Sequence, residues 1–89
     1  MVVPDAGGRA KALETIREAL LEQLEEEELT CARIRGRAER IESDLRLGAA
    51  PGEEYAQIKG HDLPRAEIRL VQTYRDLLKV EEKLLAARR

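Results

Sequence analysis

Arg33, Arg37 and Arg40 follow the i, i+4, i+7 spacing that gathers side chains on one helical face, and only Glu39 opposes them within the block. Guanidinium groups so arranged can pair with the phosphates of a nucleic acid and supply affinity independent of base sequence. The run Glu25-Glu26-Glu27-Glu28 lies just before them. The same arginines therefore also suit a solvated face that pairs with the acidic block of a neighbouring subunit. No aromatic residue is interleaved with them to stack on bases, which favours the second use.

Other reactive side chains are isolated. His61 is the single histidine, beside Asp62 and near Lys59; a metal centre needs further His or Cys at ligand spacing, and a catalytic triad needs a nucleophile with a separately placed acid. Cys31 is the single cysteine, so it cannot form an internal disulfide, and with no His at helical reach it reads as a small core hydrophobe in a reducing compartment. A glutamate run on an amphipathic helix does not build the shaped cleft that paired acid and base carboxylates require. Gly7-Gly8 and the stretch Gly48 to Gly52 match neither GxGxxG nor GxxxxGK[ST]. These patterns predict a non-enzymatic protein with no catalytic, metal-binding or cofactor-binding residues.

The elements that position these residues are helical. Phe and Trp are absent, Tyr55 and Tyr74 are the only aromatics, and charged residues make up 38% of the 89. That composition points to long helices packed through Leu, Ile, Val and Ala. The net charge of −2 hides sixteen basic and eighteen acidic side chains, so overall charge does not select a partner. No stretch approaches the ~18 apolar residues of a membrane span, and Pro4, Gly7 and Gly8 interrupt any signal-like run. A cytoplasmic location is the expectation, host cytoplasm if the source is viral.

A heptad seam runs from Ala10 to Leu45, with Ala10, Arg17, Leu24, Cys31, Ala38 and Leu45 at one position and Leu13, Leu20, Glu27, Ile34 and Ile41 at the other. It predicts a flexible segment over 1–9, then a helix over about 10–47 that ends where Gly48 can cap and Pro51-Gly52 cannot continue. Thr30 offers an alternative break, but the seam crosses it without a phase change. Residues 48–62 read as a connector with one helical turn around Glu53 to Ile58. A second helix over about 63–88 starts at Asp62, a potential cap, with Pro64 in its first turn. Its inner face combines the rows Leu70/Leu77/Leu84 and Val71/Leu78/Leu85, with Tyr74 between them. That stripe is wide enough for more than one neighbour.

The expected fold class is all-α: one long antiparallel helical hairpin, or coiled coil, assembling into an oligomeric bundle. Folding back, the second helix should cover the first only to about Leu21, leaving Leu13, Ile16 and Leu20, with Leu24 beside them, as an oligomer interface. Counting back from the turn also places Glu27 and Glu81 within about a turn of each other. Arg17 or Arg88 of a neighbouring subunit would then meet them.

Leu29-Thr30 followed by a segment rich in Ala, Arg and Glu, a connector ending Ile58-Lys59-Gly60-His61, Pro64, and the amphipathic run RAEIRLVQTYRDLLKVEEKLL together cover about residues 29–85. Over that span the chain resembles the small terminase subunits of tailed bacteriophages, in one of their compact all-helical families. The resemblance implies a homo-oligomer that helps a large terminase subunit engage viral DNA during packaging. The alternative is a cellular coiled-coil adaptor or scaffold whose partner is another protein's helix. Direct nucleic-acid contact would fall to Arg33, Arg37 and Arg40.

Overall fold

A computed structural model describes residues 4–48 and 52–88, with side chains from Gly8 onward. Helix α1 spans Pro4–Arg46, a short helix α2 spans Gly52–Gln57, a π-helical turn covers Ile58–Asp62, and helix α3 spans Leu63–Ala87. No strand occurs among the described residues, so the chain is all-α. Ion pairs join Glu14 to Arg88, Arg17 to Glu81, Arg35 to Glu67 and Arg37 to Glu54, so the second half retraces α1 in the opposite direction. The radius of gyration is 20.0 Å, against about 12 Å for a compact domain of this length. In such a rod each long helix has one helical neighbour.

The buried residues are therefore confined to one stripe per helix. On α1 they are Leu13, Cys31, Ala38 and Ile41; opposite them are Ile58, Ala66, Thr73, Val80 and Leu84. One apolar cluster joins Leu13 to Val80 and Leu84, with Leu20 and Ala87 against it; the other joins Ala38, Ile41 and Ile58, flanked by Ile34, Leu45 and Tyr55. Stepping one heptad from the Leu13–Leu84 contact places Leu20 opposite Leu77, and further along Thr73 sits across from Gln23 and Glu27, with which it hydrogen-bonds. The small side chains of Cys31 and Ala66 are both buried, and Cys31 retains 1% of its exposure.

The helical turn expected around Glu53 to Ile58 is present as α2, and the helix does not stop there. Gly52 to Ala87 is helical apart from one widened turn, in which the Leu63 N–H donates to the Ile58 carbonyl five residues back. Pro64 supplies the reason: it has no N–H, and its ring crowds the preceding turn of a regular α-helix. A π turn admits one extra residue there and relieves the crowding. Asp62 has helical backbone angles and makes no side-chain cap bond, so the expected helix start at that point is corrected.

The helical connector slides α3 further down α1 than expected. Leu13 is covered within the chain, and Leu20 packs against the same cluster. This corrects the placing of Leu13 and Leu20 on a bare surface; of that set Ile16 stays exposed and Leu24 is half-buried in the seam. The row Val71/Leu78/Leu85 was expected inside and points outward, because one neighbour can cover only one row.

Helix α1 begins at Pro4, ahead of the expected start; Met1 to Val3, the first part of the segment read as flexible, lie outside the described residues. Proline suits a first turn, where its missing N–H has no partner to lose. The helix passes unbroken through Leu29 and Thr30, whose hydroxyl donates back to the Glu26 carbonyl at 2.9 Å and so does not cap a new helix. It closes at Gly48, which adopts φ +87° and donates its N–H to the Leu45 carbonyl. Only glycine takes that conformation without strain. Ala49 to Pro51 lie outside the described residues.

Leu84 retains 2% of its exposure, and Leu47 on the outside retains 83%. Leu84→Ala should lower stability by about 2–5 kcal/mol, and Leu47→Ala should leave it nearly unchanged. Thermal unfolding followed by circular dichroism checks this, and equal effects of the two substitutions would contradict the assigned core.

Candidate interaction surfaces

Two polar side chains interrupt the seam of α1, and both find partners within the chain. Glu27 faces α3, where the buried Thr73 hydroxyl donates to its carboxylate, 2.7 Å from Oε2, and accepts from Gln23 Nε2 at 3.2 Å. Gln23 also donates to Glu27 Oε1 at 2.8 Å. The carboxylate thus keeps hydrogen-bond partners where the seam desolvates it. Arg17 extends to the edge of the seam and donates Nε–H to Glu81 Oε1 at 2.5 Å. That bond, with the charge of Glu81, holds the guanidinium above its usual range.

Glu27 and Glu81 therefore do not meet. Glu27 lies opposite Thr73, and eight residues of α3 separate Thr73 from Glu81, about 12 Å at 1.5 Å per residue. The expected neighbour-supplied arginines are also corrected. Arg17 serves Glu81 within the chain, and Arg88 binds Glu14 at 2.9 Å. The physical cause is the longer helical arm, which shifts every pairing along α1.

One edge of the helix pair carries a regular ladder. On α1 the row is Glu14, Leu21, Glu28 and Arg35, each seven residues from the next; on α3 it is Glu67, Tyr74, Glu81 and Arg88. Glu14 pairs with Arg88, Glu28 accepts from the Tyr74 hydroxyl at 2.9 Å, and Arg35 lies 3.9 Å from Glu67. At the remaining level Leu21 offers no polar group, and Glu81 turns to Arg17 instead. These side chains are partly exposed, so the ladder orders the register more than it stabilises.

The arginine face is divided. Arg37 is held by Glu54 of α2, whereas Arg33 and Arg40 are exposed and have no ion-pair partner among the described residues. His61 Nδ1 lies 3.1 Å from Asp62 Oδ1, and both side chains are well exposed. They border a groove with Thr30, Ile34, Arg65 and Arg69. Cys31 is buried in the seam. Among the described residues no three His, Cys, Asp or Glu side chains gather as a metal site, and no helix is long and apolar enough to cross a membrane.

The largest uncovered apolar feature is on α3. Ile68, Val71, Leu78 and Leu85 are 69%, 50%, 62% and 61% exposed. Val71, Leu78 and Leu85 share one heptad position, Ile68 lies one turn before Val71, and the half-exposed ring of Tyr74 borders them. The two-row apolar stripe of the sequence assigns Val71, Leu78 and Leu85 to the interior and does not include Ile68. Their spacing was the visible signal, since a helix with two adjacent apolar rows needs two neighbours. Comparisons with protein-family models, curated proteins and solved structures found no match to this chain.

Tyr74 provides a probe of the ladder. Its hydrogen bond to Glu28, the charge of that carboxylate and desolvation raise the phenol above its usual range. The fold thus favours the neutral phenol: this contribution is complete below the ordinary tyrosine range and is lost as pH rises through the raised value. In a Tyr55→Phe background, spectrophotometric titration should place Tyr74 above about 10, and Glu28→Gln should bring it down. An unmoved midpoint in the Glu28 variant would rule out the bond.

Proposed function

We propose that the protein is a non-catalytic assembly unit, a coiled-coil hairpin that associates with further copies into a helical bundle, in a role like that of a small terminase subunit in DNA packaging. The uncovered stripe Ile68, Val71, Leu78 and Leu85 carries this reading. Contiguous apolar rows of this kind mark contact sites on small helical proteins. A rod with one buried stripe per helix also has a thin core, and a second layer of helices would thicken it. The stripe replaces Leu13 and Leu20 as the proposed interface.

Light scattering after gel filtration should give a mass at least twice that of the 10.1 kDa chain. Leu78→Glu should return it to the monomer, because the interface would have to bury an unpaired charge. A wild-type monomer at tens of micromolar would overturn self-assembly and leave the stripe to a helix of another protein, the adaptor reading.

A phosphate-binding face is the second reading, supported by Arg33 and Arg40, which lie two helical turns apart and have no acidic partner among the described residues. If they contact duplex DNA, binding should weaken steeply with salt, and replacing both with Ala should flatten the log–log slope by about two units. Unchanged binding in the double variant would exclude this face.

A further inference from the structure

We propose that two copies join through their α3 helices packed antiparallel, about a two-fold axis passing beside Leu78. The inference rests on the self-assembly reading above and assigns it a geometry. Val71 and Leu85 lie seven residues to either side of Leu78 on the same row. The axis therefore sets Leu78 against the partner's Leu78, and Val71 against the partner's Leu85. An interface built from one patch on both copies must be self-complementary in this way.

Charge selects the direction. The stripe's central row is flanked by a second row that begins with Ile68, which widens the stripe at that end, and continues with Arg75 and Glu82, three residues before and four after Leu78. In an antiparallel pair related by a two-fold axis this row faces itself. Arg75 then meets the partner's Glu82, and Glu82 meets the partner's Arg75. Neither has an ion-pair partner among the described residues, and two helical turns, about 10.5 Å, separate them on α3. A parallel pair would instead set this row against Glu67, Tyr74, Glu81 and Arg88. The charged members of that row are already engaged by Arg35, Arg17 and Glu14. The antiparallel arrangement uses the charges that are free and leaves the ladder intact, which favours both direction and specificity.

Cysteine cross-linking under a mild oxidant tests the geometry, with Cys31→Ala removing the native thiol. Leu78→Cys should yield a covalent dimer. Val71→Cys alone should not, because the partner's Val71 would lie about 21 Å along the helix. An equal mixture of Val71→Cys and Leu85→Cys chains should cross-link again. Arg75→Glu should lower the dimer mass seen by light scattering, and adding Glu82→Arg should restore it. Efficient self-linking of Val71→Cys, or failure of the charge reversal to restore mass, would overturn the antiparallel geometry while leaving self-assembly standing. A monomeric wild-type chain would remove both.

Discussion

A helix with one helical neighbour can hide one narrow stripe, and this constraint governs the whole molecule. In α1 the stripe is a single seam that takes Leu13, Leu20, Leu24, Ile34, Ile41 and Leu45 and leaves Ile16, Leu21 and Leu29 outside it. Helix α3 carries a second apolar row that the same neighbour cannot reach, because Leu70, Leu77 and Leu84 already fill the seam with Ala66, Thr73 and Val80 between them. Rotating α3 to bury Val71, Leu78 and Leu85 would expose Val80 and bring Glu81 inward. The chain therefore settles with the more uniform row inside and the second row uncovered.

What holds the seam in one register is mostly polar. Apolar layers built from Leu and Ile tolerate sliding by a heptad, since each layer resembles the next. A slip of seven residues would part Thr73 from Glu27 and set Leu20 or Ile34 against it: the hydroxyl would keep only the Arg69 carbonyl of its own helix, and the half-buried Glu27 carboxylate would lose its donor from α3. The edge ladder adds to it: after the same slip Glu28 would face Glu81 or Glu67, and Arg35 would lose its acidic partner. Individually weak pairs thus discriminate between registers more than they add to stability.

The helical class, the end of α1 at Gly48 and the amphipathic character of α3 were legible in the sequence, because heptad spacing and a C-terminal glycine are local signals. The connector was not, since Gly60, His61, Asp62 and Pro64 spell a helix start in a regular α-helix. The contrary sign lay in the seam itself. Tyr55, Ile58, Leu63 and Ala66 are spaced three, five and three apart, and a five-residue step is what one π turn allows. Missing that step displaced α3 along α1. The errors on Leu13, on Leu20 and on the Glu27–Glu81 approach all follow from it. Arg33, Arg37 and Arg40 all lie on the unbroken helix α1, and the pairing of Arg37 with Glu54 was not visible in the sequence because it depends on α2 being helical and lying alongside.

The distribution of satisfied charges bears on the proposed role. Within the chain Arg17, Arg35, Arg37 and Arg88 are matched to Glu81, Glu67, Glu54 and Glu14. Arg75 and Glu82 on α3, and Arg33 and Arg40 on α1, remain outside these pairs. The first two flank the uncovered apolar row with opposite signs, which suits a surface that must recognise a copy of itself. The second two carry one sign, which suits an anionic partner or the acidic run of another subunit. In the proposed assembly the two surfaces belong to different helices. A bundle joined through α3 would therefore leave the arginines of α1 on its outside, available to a second ligand without competing with the contact that builds the bundle.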